Sequence, residues 1–171
     1  MLPDITLHIP AMRRYALVLT RDRHRVEDLV QESLARALAA HRTWKPGSNM
    51  RTWLLSIVHN SFVSGWRRER VELSALDGAA AALPPGAGPA RPDMQVEVQQ
   101  VIDRLLALPD GMREILLLAV VEEMSYREIA EMLGIPMGTV MSRLARARAA
   151  LREQVEGAAV PTRRPALKLV E

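Results

Sequence analysis

The chain contains no cysteine, which excludes disulfides, zinc ribbons and thiol catalysis. Its four histidines, His8, His24, His41 and His59, are scattered, and none stands at metal-ligand spacing from another. There is no glycine-rich phosphate loop and no carboxylate pair in an apolar setting, so no catalytic residue, metal or cofactor is expected. Aromatics make up only 4% of the residues. Period-two alternation is nearly absent, while apolar residues recur at three and four, which predicts an all-α protein. No apolar run approaches the ~20 residues of a membrane span. Tyr15–Thr20 is a short apolar stretch bracketed by arginines rather than a signal peptide. A cytoplasmic protein with no membrane insertion is therefore expected.

What is present is arginine, which greatly outnumbers lysine and lifts the sequence pI to about 9.9. The formal charge of the 171 residues is only +3, so distribution matters more than total. Residues 1–75 carry twelve basic and seven acidic side chains, and Asp93–Glu131 carries nine acids against three arginines. Two basic zones separated by an acidic one suggest two contacts on a polyanion. Ala79–Pro92 is rich in alanine, proline and glycine and has no charge before Arg91. It is read as a linker. The predicted organisation is two small helical domains, 5–75 and 94–155, joined by a flexible linker at 76–93 and followed by a loose tail at 156–171.

The most informative stretch is Ser125–Arg152. Ser125 and Glu128 form a capping box, Gly134 permits a left-handed corner, and Pro136 suits the start of the next helix. Ala130, Gly134 and Val140 have the spacing of a helix-turn-helix. On the second helix Met137, Val140, Leu144, Ala147 and Leu151 are expected to pack inward. Gly138, Ser142, Ala145 and Arg146 fall on the opposite side, flanked by Thr139 and Met141, with Arg143 and Arg148 nearer the boundary. Met132–Arg152 contains four arginines and no acid. A positive helix with small outward residues fits a major groove.

In the first half, Glu27–His41 is predicted helical, with Val26, Val30, Leu34, Ala37 and Leu38 inward. Asp28, Gln31, Glu32 and Ala35 form a polar stripe on the other side. By themselves these residues favour simple solvation over contact with a partner. Lys45, Pro46, Gly47, Ser48 and Asn49 form a loop on the Pro-Gly turn signal. A helix then begins at Trp53, Leu54, Ile57 and Val58 and runs through Asn60 and Phe62 to Arg67, Arg68 and Arg70. A polar loop opening onto a helix with a basic end suits single-stranded nucleic acid. Trp53 is expected in the core; Trp44 and Trp66 either pack or stack on bases. The methionines are read as core filling.

Four segments together resemble the small extracytoplasmic-function sigma factors of bacterial RNA polymerase, which keep only regions 2 and 4. They are Glu27–Leu38, Trp44–Asn60, Leu108–Leu118 and Ser125–Arg152, in family order over nearly the whole chain. The resemblance implies that Asp28, Leu29, Gln31 and Glu32 dock on the β′ clamp of core polymerase, which reverses the solvation reading. It also implies a contact with the β subunit. Lys45–Asn49 would capture a flipped base of the minus-ten element, with Asn60, Arg67 and Arg68 lining the melted strand and adjacent duplex. Thr139, Met141, Ser142, Arg143, Ala145, Arg146 and Arg148 would read the minus-thirty-five element. Family members often carry Asp a few residues after Asn60, where this chain has Ser64 and Gly65, and a basic residue at the Met141 position. The Pro46–Met50 stretch with Phe62 and Ser64 resembles the general-stress subgroup of alphaproteobacteria. The implied partners are core polymerase, promoter DNA and an anti-sigma factor. The alternative is a stand-alone dimeric helix-turn-helix regulator reading palindromic sites, which leaves the loop and the stripe without a task.

Overall fold

The computed structural model describes residues 4–76 and 96–158. Among these residues every regular element is helical, as the apolar spacing requires. A short 3₁₀ turn, Ile5–His8, leads into α1 (Ile9–Thr20), whose first turn holds Pro10 where a missing N–H costs nothing. Arg21 closes α1 in the left-handed region with φ of 55°, and its N–H reaches the Leu17 carbonyl. Asp22 then caps α2 (Arg23–Ala39) by accepting from His24 N at 2.9 Å. A 3₁₀ turn (His41–Thr43) and the loop at 44–49 connect to α3 (Met50–Leu76).

Helices α1, α2 and α3 pack mutually. Met12, Tyr15, Val30, Leu54, Leu55 and Val58 are almost wholly buried among them. Each such apolar side chain contributes about 1.5–3 kcal/mol by leaving water. The second half contains α4 (Val96–Ala107), α5 (Asp110–Leu116), a π-helical turn (Leu117–Val121), α6 (Tyr126–Leu133) and α7 (Met137–Ala158). Ile115, Leu118, Ile129, Val140, Leu144 and Ala147 form its core. The linker predicted at 76–93 lies, except for Leu76, outside the described residues. So does most of the predicted tail, α7 itself running to Ala158.

The two halves pack directly against each other, α1 on α5 and the π-helical turn, and α3 on α6. The seam is polar as well as apolar. Arg113, only 1% exposed, donates to Val18 O at 2.9 Å across it, and to Leu108 O, Leu106 O and Asp110 within its own half. Burial lowers the Arg113 pKa, and the Asp110 carboxylate opposes that shift. Tyr15 donates to Glu114 Oε1 at 2.6 Å, and His59 Nδ1 lies 3.1 Å from both. Burial first, then the Glu114 charge, pushes the Tyr15 hydroxyl well above its ordinary pKa, so it remains a donor.

Three sequence expectations are corrected. Helix α3 starts at Met50 rather than Trp53, because Asn49 Oδ1 accepts from Arg51 N and Thr52 N at 3.0 and 3.3 Å and so caps it. Leu38 is 59% exposed instead of inward: it lies about 100° round the helix from Ala37, off the buried stripe of Val26, Val30, Ser33 and Ala37. Met137 is 53% exposed, since it opens α7 ahead of the turn that α5 and α6 cover.

Candidate nucleic-acid interface

Helix α6 begins on a complete capping box. Ser125 Oγ accepts from Glu128 N at 3.2 Å, and the Glu128 carboxylate accepts from Ser125 N at 2.8 Å. Hydrogen bonds from the Ser125 hydroxyl and backbone hold that carboxyl below its ordinary value, Thr52 adding to the effect. Gly134 ends α6 at φ of 65°, a conformation that penalises any Cβ. The Pro136 carbonyl then accepts the first α7 bonds, from Thr139 N at 2.9 Å and Val140 N at 3.2 Å.

This corner fixes the rotation of α7. Val140, Leu144 and Ala147 face the core, while Gly138, Met141, Ser142, Ala145, Arg146 and Arg148 are exposed together. Thr139 is half-buried, and its carbonyl accepts the Ser142 hydroxyl at 3.1 Å. Arg143 departs from the set. It is half-buried with its guanidinium over Gly111 of α5, where an added Cβ would lie 2.9 Å from Nη1. Gly111 is the space that Arg143 occupies.

In the first half the loop Lys45–Asn49 is wholly exposed. Gly47 has φ of 89°, and Lys45 O accepts both Ser48 N at 3.0 Å and Ser48 Oγ at 2.7 Å. The two side chains expected to read a base, Ser48 and Asn49, thus also build the loop and cap α3. A cleft of about 430 Å³ opens beside it, with Lys45, Asn49, Thr52 and Trp53 on one wall and Glu128, Glu131 and Met132 of α6 on the other. Asn60 and Arg67 are exposed along and beyond this part of α3, and Arg68 pairs with Glu32 at 3.3 Å.

On the α2 stripe Asp28 and Gln31 are exposed, whereas Leu29 is buried and supports them from beneath. Glu32 is half-buried and already holds Arg36 at 2.6 Å as well as Arg68. The structure therefore brings together the outward α7 residues as one set, and Arg68 with the α2 stripe as another. Sequence reasoning missed Tyr15, His59, Arg113, Glu114 and Glu122, which join the halves. No motif spacing marks them; the acidic character of the segment holding Glu114 and Glu122 was their only trace. Among the described residues no group of three or more His, Cys, Asp or Glu is placed to hold a metal. No described helix is long and apolar enough to cross a membrane.

Comparison with known proteins adds independent findings. Residues 98–151 match the family described as sigma-70 region 4, and residues 5–59 match the Sigma2 domain of PhyR. The ECF RNA polymerase sigma factor EcfG of Rhodopseudomonas palustris is 37% identical over 151 residues, covering 86% of this chain and 81% of that relative. SigM of Bacillus subtilis is 31% identical over 140 residues, covering 81% and 85%. Among solved structures, the sigma factor RpoE in complex with the anti-sigma factor NepR from Bartonella quintana aligns with a TM-score of 0.74. It shares 31% identity, covering 90% of this chain and 94% of that one.

Proposed function

The chain belongs to the extracytoplasmic-function sigma factors of bacterial RNA polymerase, and from that membership we propose how its parts divide the work of initiation. The chain binds core polymerase and promoter DNA and directs where transcription starts. It contributes no bond-making chemistry of its own and acts in the cytoplasm alongside the polymerase.

Residues 94–155 act as region 4, with α7 entering the major groove of the minus-thirty-five element. Arg146 and Ser142 contact base edges; Arg148 serves the backbone. Residues 5–75 act as region 2. Asp28 and Gln31, with Glu32, dock on the β′ clamp, and Lys45–Asn49 holds one base of the minus-ten strand outside the stack. The tether at 76–93 makes the second DNA contact intramolecular, which raises avidity without new contacts. An anti-sigma partner belongs to this reading, since the similar RpoE was crystallised with one.

The observation that carries the proposal is the exposed basic face of α7, fixed by a capped corner and free of any acidic side chain from Met137 through Arg152. The polymerase contact is tested by Asp28→Arg with Glu32→Arg. Both lie outside the core, so helicity by circular dichroism stays normal while co-elution with core polymerase is lost. Unchanged co-elution with normal helicity contradicts the docking assignment.

A further inference from the structure

Glu122 lies just after the π-helical turn, whose wide winding is closed by Glu122 N donating to Leu117 O at 3.0 Å. The next residue, Glu123, has φ of 55°, left-handed and unusual for a side chain with a Cβ. This backbone turns the Glu122 carboxylate inward, to 3% residue exposure. It meets two guanidinium groups there, both from the other half of the chain. Arg14 of α1 approaches at 2.9 Å through both Nε and Nη2, and Arg51 of α3 through Nη2.

Arg51 is in the first turn of α3, two residues past the capping Asn49, so it stands at the root of the loop assigned to base capture. Its neighbour Thr52 donates to Glu128 Oε1 at 3.2 Å, and Glu131 lines the same cleft. The second half thus turns three carboxylates toward the loop end of α3. An oxyanion held by two arginines is the arrangement that guanidinium groups also make with phosphate. The geometry points to Glu122 as an internal stand-in for promoter phosphate. In the closed chain it occupies Arg51; when the halves separate, Arg51 is released to bind the backbone of the melted strand. The closed chain is then self-restrained, with α6 carboxylates walling the base cleft and repelling the strand. This inference rests on the region 2 reading given above and adds a DNA-binding residue and its restraint.

Three single substitutions separate the latch from the DNA contact. Glu122→Gln breaks the latch and Arg14→Gln removes one of its two arms across the seam, and both leave Arg51 in place. Arg51→Gln breaks the same latch but removes the contact. Each is made in the full chain with dyes on Leu38→Cys and Ala149→Cys, both exposed positions in a chain with no native cysteine. Energy transfer between the dyes reads the separation of the halves. Anisotropy of a fluorescein-labelled 20-nucleotide single-stranded DNA of mixed sequence, a length of roughly one to five OB-fold footprints, reads strand affinity.

All three variants are expected to lower transfer. Arg14→Gln and Glu122→Gln tighten strand binding several-fold. Arg51→Gln fails to tighten it and lowers the salt slope by about 0.7, the value for one phosphate contact on a single strand. Unchanged transfer in all three variants overturns the latch, and Arg51→Gln binding the strand as tightly as Arg14→Gln overturns the phosphate role. Should burial make Glu122→Gln fold poorly, Arg14→Gln carries the comparison, since the Arg14 side chain is 44% exposed. Run-off transcription by the wild-type chain with core polymerase tests the underlying reading separately. If it succeeds while Arg51→Gln matches Arg14→Gln, only this inference falls; if it fails, both fall.

Discussion

In the proposed reading, Arg146 is the side chain on which base contact by α7 depends most. It is exposed beside Ser142, on the face opposite Val140, Leu144 and Ala147. Arg146→Ala should relax discrimination at one minus-thirty-five position by about 1–3 kcal/mol, the range for a bidentate arginine–guanine contact. A binding titration across single-base variants checks this. An equal loss on every sequence makes Arg146 a phosphate contact instead. Arg113 has the opposite character, since it serves the fold. Its guanidinium satisfies three carbonyls, one of them across the seam, from a nearly solvent-free position. Arg113→Ala leaves those acceptors bare, so a loss of at least about 1–3 kcal/mol, the cost of one buried acceptor left without a donor, is expected in thermal or urea unfolding. The α7 face was legible because a helix repeats its geometry every 3.6 residues. The capping of α3 by Asn49 was not: a side chain that caps a helix and one proposed to read a base have the same name in sequence. The lean of Arg143 over Gly111 was equally hidden, because it depends on where α5 crosses α7.

At the scale of elements, the capping box and the corner at Gly134 were readable, since each is a local pattern with a local cause. The capping box is also titratable. The Glu128 carboxyl is held below its ordinary pKa by Ser125, so the bond stabilises only while Glu128 is ionised. Its contribution is present above the usual glutamate range and is lost as the pH falls through the lowered folded-state value. Ser125→Ala should cost about 1 kcal/mol at neutral pH, with the gap to wild type narrowing as the medium becomes acidic. Thermal melts at a series of pH values check the trend, and a gap that widens in acid contradicts it. The π-helical turn at Leu117–Val121 had no signature: its five residues are apolar and equally suited to an α-helix. The glutamate that follows it meets Arg14 and Arg51, which lie in another part of the chain.

At the scale of the molecule, the two-part organisation was visible in the charge distribution and in the composition of the linker. The association of the parts was not. The sequence shows the acidic zone only as what separates two basic ones, yet Glu114, Glu122 and Glu128 each meet a side chain of the first half. Such complementarity joins residues up to 108 positions apart and leaves no periodic trace. The same acids that keep the halves together oppose a polyanion near the loop. Under the latch proposed above, the closed chain and the promoter-bound chain are different arrangements of one set of charges.

The claim that this chain brings polymerase to a promoter and helps open it is tested most directly by permanganate footprinting of unpaired thymines. The templates are genomic fragments selected by run-off transcription. Core polymerase alone should leave the thymines unreactive, and core with the wild-type chain should expose a cluster at the minus-ten element. A chain whose 45–48 loop is replaced by Gly and Ser, with Asn49 kept as the α3 cap, should still bind the closed duplex but show a much weaker cluster. No reactivity with the wild-type chain, together with protection of palindromic duplex sites by the free chain without polymerase, is the result that contradicts the account.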